Sequence, residues 1–166
     1  MTNNLSLFES FVRNSNQTVT QIQFDPVIPR SDVSHPFDER NIHSDIFQTS
    51  LKLFDDGHYS NATFEAYKYI DKQVQQLSKS DMSGVKLMMS AFAEKSPLIQ
   101  LTKLSNSSEK DEQKGFQFLF SGAVSAIRNP RGHEVGNIDT IDECLDHLSL
   151  ASFLLRRLSS CTRHAN

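Results

Sequence analysis

Apolar positions recur every three or four residues along most of this chain, which is the spacing of one helix face. From about residue 38, Ile42, Ile46, Leu51 and Phe54 share such a face, and "FDDGHYS" ends the run with Gly57 where a left-handed residue costs little. A second helix follows, capped by Ser60, with a stripe of Ala62, Ala66, Ile70, Val74 and Leu77 that ends near "SKSD". The two make a helical hairpin, which His58 in "DDGHYS" braces. "GVKLMMSAFAEK" predicts a shorter helix with Met88, Met89 and Phe92 as core filler, ended by Pro97. "LSNSSEKDEQKG" is a polar loop whose second half opens the next helix, Ser108 and the acids at 109, 111 and 112 suiting an N-terminus. Phe116, Leu119, Phe120, Ala123 and Ile127 lie in the most apolar helix, nearly hydrophobic all round, which predicts a central element buried on several sides. The last helix begins after "GNID" with Asp139 as N-cap. Its inner face is Ile141, Leu145, Leu148, Ser152, Leu155 and Leu158, and Arg156 and Arg157 suit its C-terminal dipole. The pattern predicts an all-α bundle of about five helices over residues 38–160, with a tail at 161–166. Residues 1–37 differ: three prolines and an alternating Val19, Ile22, Phe24 read as an arm with one edge strand leading into a linker.

Composition narrows the class. At 166 residues, 37% hydrophobic, the chain suits a single core. No run approaches the roughly 18 apolar residues of a membrane span, and "MTNNLSLFESFVRN" lacks the basic and apolar regions of a secretion signal, so a cytoplasmic protein is expected. Cys144 and Cys161 support neither a disulfide framework nor a thiolate site and read as inert. The six histidines never fall in a metal-ligand spacing with acids or thiols, and "DDGH" is too short for a calcium loop, so neither a metal nor a cofactor is expected. A net charge of −3 argues against a protein that coats nucleic acid nonspecifically. The charge is uneven, however: residues 1–113 carry 11 Lys/Arg against 15 Asp/Glu, and residues 114–166 carry 6 against 5.

That local basic surplus contains "AIRNPRGHEV", residues 126–135. Asn129 before Pro130 disfavours helix, so the backbone is expected to turn here. In an unbroken helix Arg128 and His133 would stand about 140° apart, whereas a turn at Pro130 and Gly132 lets guanidinium and imidazole face one site. Arginine offers a charged fork matched to phosphate oxygens, and histidine exchanges a proton near neutral pH. Together they suit RNA cleavage without a metal, where a 2′-hydroxyl gives up a proton, a phosphorane-like state is stabilised and the 5′-oxygen is protonated. Spacing alone equally fits a solvated helix end whose arginine pairs with Glu134 or a terminal carbonyl.

"GFQFLFSGAVSAIRNPRGH", preceded by "IFQTSLKLFDDGHYSNATFEAYKYIDKQV", resembles the Ymh-type branch of the HEPN superfamily over roughly residues 38–160. Arg128, Asn129 and His133 stand where that superfamily's Arg, polar and His motif residues stand, with four residues between Arg and His. The resemblance implies a HEPN-type bundle and a metal-independent endoribonuclease. It further implies a homodimer whose two motifs meet in one cleft, used as a toxin or a phage-defence effector with an antitoxin or defence partner protein. In such a dimer one histidine acts as base and the other as acid. Val135 stands where toxins silenced by a nucleotidyltransferase carry tyrosine, so that control is not implied. Glu65 matches the acid many HEPN domains carry on the second helix; it orients His133 or Arg128, or is a solvated helix charge. Lys68 reads as its ion-pair partner or as an RNA contact. Arg131 reads as a phosphate ligand beside the site or as an exposed turn residue. The alternative function is a non-catalytic dimer that binds RNA, nucleotide or a protein partner.

Overall fold

The computed structural model describes residues 34–133 and 139–164, side chains at 133 and 162–164 excepted, and the expected N-terminal arm and strand lie outside them. The described residues form helices and no strand: α1 (Pro36–Glu39), α2 (Ser44–Asp55), α3 (Tyr59–Ser78), α4 (Gly84–Ala91), α5 (Ser107–Ala123), a π-helical turn (Val124–Arg128), α6 (Asn129–His133) and α7 (Ile141–His164). The all-α bundle expected from the pattern is what forms.

The α2–α3 hairpin closes as the sequence indicates. Gly57 takes φ 78°, and the Gly57 N–H donates to Phe54 O while the His58 N–H donates to Leu53 O, which satisfies two end carbonyls of α2. His58 therefore braces the hairpin through its backbone; its residue also caps α3, in place of Ser60. The Ser50 hydroxyl, fully buried on α2, donates to Ala62 O and fixes the two helices at close range.

The central element is α3, which packs against α2, α4, the π turn and α7 through Ala62, Ala66, Tyr67, Ile70 and Val74. This corrects the expectation for α5. Phe120 stacks on Phe92 with centroids 4.4 Å apart, but Phe118 and Leu119 are 54% and 46% exposed. Apolarity on all sides is therefore not matched by burial on all sides within one chain. The buried side of α5 includes Gln113, whose carbonyl oxygen accepts from Leu101 N while its amide donates to Ile99 O and Phe92 O, tying down the loop after α4.

Two helix starts differ from expectation for a local reason. Asn106, not Ser108, caps α5 by accepting from Glu109 N. At α7, Thr140 and Glu143 form a reciprocal capping box: Glu143 N donates to Thr140 Oγ1 at 3.2 Å, and Thr140 N donates to Glu143 Oε2 at 2.8 Å. Asp139 is thereby released to turn inward. Ile141 is 43% exposed, while Leu145, Leu148, Ser152, Leu155 and Leu158 are buried as predicted.

Candidate functional site

The expected break at Asn129–Pro130 does not occur. The helix widens by one π turn, in which Asn129 N donates to Val124 O five residues back, and then continues as α6. A proline inside an α-helix removes one hydrogen bond and clashes with the carbonyl four residues earlier; the widened turn relieves this and puts Pro130 in the first turn of α6, where no N–H is required. The consequence is geometric. Positions 128 and 133 stay on one helical run, about 140° apart around its axis, so no turn brings them together within one chain.

Arg128 leaves the π turn toward α3. Its guanidinium carbon lies 5.5 Å from the centroid of the Phe64 ring, and its Nη1 donates to Asn129 Oδ1 at 3.1 Å. Its Nε is buried and has no hydrogen-bond partner among the described residues, and none of their carboxylates forms an ion pair with it. The ring thus orients a cation that no described carboxylate pairs with.

Phe64 also shapes the other half of the motif. A Cβ placed on Gly132 would stand 2.8 Å from Phe64 Cε2, so only glycine lets α6 approach α3 this closely. The freedom expected of Gly132 as a turn residue is thus used for contact. Lys68 Nζ lies 5.8 Å from the same ring and pairs with Glu65 at 2.9 and 3.0 Å. The Lys68–Glu65 pair read from the spacing is present. Glu65 forms no ion pair with Arg128, and the His133 side chain lies outside the described residues, as do Glu134 and Val135.

Arg131 is not an exposed turn residue, one of the two readings the sequence left open for it. Its side chain is 9% exposed, its Nε donates to Asp139 Oδ2 at 2.7 Å and Oδ1 at 3.0 Å, and its Nη2 also donates to Oδ1. Its Nη1 donates to Ile127 O at 2.7 Å, serving a carbonyl of the π turn. Asp139, 3% exposed, also accepts from Thr63 Oγ1 at 3.0 Å, and its backbone N–H donates to Ser60 Oγ at 2.7 Å. His147 Nδ1 is 3.4 Å from Arg131 Nη2 and 3.6 Å from Asp139, and Tyr67 donates to the His147 carbonyl.

The charges in this cluster shape one another. Burial alone would push the Asp139 carboxyl up, but hydrogen bonds from Arg131 and Thr63 and the Arg131 charge outweigh it and hold the carboxyl below its ordinary range. Burial, then the neighbouring Arg131 cation, pushes His147 down despite Asp139. Burial pushes the Cys144 thiol up to about 11, which suits the inert role expected of it.

Sequence reasoning took Asp139 only as a helix cap and did not single out Phe64 or His147. The Thr140–Glu143 spacing was the available signal for Asp139, because a reciprocal capping box one residue later leaves Asp139 free for another role. Phe64 had none, since its contacts with Arg128 and Gly132 come from a segment over sixty residues away.

Among the described residues no group of three His, Cys, Asp or Glu could hold a metal ion, and no helix is long and apolar enough to cross a membrane. Neither a curated protein nor a solved structure gives a significant match. Residues 40–158 match the family model described as "Protein of unknown function (Hypoth_ymh)", and the chain belongs to that family.

Proposed function

We propose that this chain is a metal-independent endoribonuclease of the HEPN type, a cytoplasmic toxin or phage-defence effector that cleaves RNA at a site built from two copies. The observation that carries the reading is Arg128. It is an oriented cation over Phe64, unpaired with any described carboxylate, on the same helical run as Asn129 and His133. Such a group stabilises the extra negative charge of a pentacoordinate phosphate without a metal. In the reaction, one His133 takes the proton of the 2′-hydroxyl as its oxygen bonds to phosphorus. The His133 of the second copy protonates the 5′-oxygen as the P–O5′ bond breaks, leaving a 2′,3′-cyclic phosphate.

The outer face of α5 supports the second copy. Gly115, Phe118, Leu119, Gly122 and Ala126 follow one another at helical spacing on exposed positions, and a Cβ on either glycine would meet nothing within 4 Å. Phe153 of α7, 49% exposed, stacks on Phe116 beside this face. An apolar strip with room for close helix approach, leading directly into Arg128, suits an isologous contact that brings two motifs together. Positions about 140° apart on one helix also favour pairing Arg128 of one copy with His133 of the other.

The test is RNA cleavage in EDTA with analysis of the new ends. His133→Ala and Arg128→Ala are each expected to slow cleavage by at least about a hundred-fold while the variants stay folded. Leu119→Glu is expected to yield a folded, inactive monomer. A folded wild-type dimer that binds RNA but leaves it intact, with or without Mg²⁺, would replace this reading with that of a binding module.

A further inference from the structure

We propose that Asp139 anchors the motif helix: through Arg131 it positions α6, and with it Asn129 and His133, for the chemistry, so that Arg131 is a positioning residue rather than a phosphate ligand. The role in cleavage rests on the ribonuclease reading above; the anchoring of α6 does not.

The two arginines of the motif are used in opposite ways. Arg128 has one neutral oxygen and a ring for partners. Arg131 spends Nε and Nη2 on the Asp139 carboxylate and Nη1 on Ile127 O, with 9% of its side chain exposed. Drawing that guanidinium out to a phosphate would strand a carboxylate that is itself 3% exposed. Asp139 is in turn fixed from two directions on α3, by Thr63 at its carboxylate and Ser60 at its backbone N–H. One ion pair therefore joins the five-residue α6 to α3 and to the start of α7.

Such an anchor is useful because α6 is the last stretch of the helical run that starts at Ser107, beyond the π widening. The end of a helix leaves its last carbonyls without partners in the helix, and side chains that grip it fix its direction. Arg131 supplies this on one side and the Gly132–Phe64 contact on the other. A planar fork on a carboxylate fixes direction as well as distance, which a lysine's point charge does not.

The experiment compares wild type, Arg131→Lys and Asp139→Asn as full-length protein, by amide hydrogen exchange and by RNA cleavage kinetics in EDTA. The expected result is exchange at residues 129–133 faster by about ten-fold or more in both variants, with α3 and α7 unchanged in Arg131→Lys. The expected kinetics are a kcat lower by about ten- to a hundred-fold with KM within two-fold, because misplacement affects the reacting geometry and not the number of RNA contacts. If Asp139→Asn fails to fold, Arg131→Lys decides alone, since it keeps the charge. A raised KM with kcat preserved would make Arg131 a phosphate ligand and overturn the proposal. So would unchanged exchange at 129–133. A wild type that cuts no RNA would remove the ribonuclease reading, and exchange would then decide the anchor on its own.

Discussion

Gly132→Ala tests the site's geometry with a single methyl group. The new Cβ would stand 2.8 Å from Phe64 Cε2 and 3.6 Å from Cδ2 and Cζ, against about 3.5–4.0 Å for carbon atoms in ordinary contact. The ring must retreat by about 1 Å, and it carries Arg128 at 5.5 Å and Lys68 at 5.8 Å. Two effects on stability oppose each other. Alanine favours the α6 helix by about 1 kcal/mol over glycine, whereas overpacking costs about 1–3 kcal/mol. The net change is therefore a loss between about 0 and 2 kcal/mol, too small to unfold an ordinary domain. Activity is expected to respond far more, because a shift of about 1 Å in the platform under Arg128 can cost about a hundred-fold in rate. Urea denaturation and RNA cleavage in EDTA, on the same preparation, separate the two. Adding Phe64→Leu should relieve the overlap and restore the midpoint, yet leave cleavage low, since the ring that orients Arg128 is gone. Gly132→Ala that is about 1 kcal/mol more stable and fully active would refute the argument, for the close approach would then have no function.

The buried pair sets a pH dependence whose sign follows from its surroundings. Asp139→Asn, which leaves Arg131 charged and enclosed, is expected to cost about 3 kcal/mol by urea denaturation at pH 7. Folding lowers the Asp139 pKa below 3.8, so this contribution is complete above 3.8 and is lost as pH falls through the lower folded value; the wild-type advantage should shrink only in that acid range. His147 gives the opposite case, a cation disfavoured by folding: its penalty is absent well above pH 6.5 and grows as pH falls below 6.5. A His147→Gln variant should therefore lose less stability than wild type between neutrality and the folded His147 pKa, and parallel curves there would contradict the assignment. Thr140→Ala removes one half of the capping box and is expected to lower stability by about 1 kcal/mol, with no loss of the Arg131–Asp139 pair.

What the sequence made legible was whatever depends on near neighbours. Gly57 ends α2 because its positive φ lets the N–H groups of Gly57 and His58 reach the last carbonyls of the helix, and the inner face of α7 follows from spacing alone. Asp139 illustrates the limit. It is as good a cap as Thr140 in isolation, and the choice between them is made by Arg131, eight residues away on another helix, whose charge needs a buried partner. Pro130 is a second case. Its clash with a regular helix was legible, but whether the chain breaks or widens depends on what the continued helix gains, here the Gly132–Phe64 contact and the Arg131 anchor. The same reasoning explains α5: hydrophobic residues on all sides do not say what covers each side, and Phe118 and Leu119 are 54% and 46% exposed. A second copy laid along that face would supply the missing burial, and because α5 runs into the π turn it would do so at the residues where one copy alone leaves positions 128 and 133 on different sides of the helix.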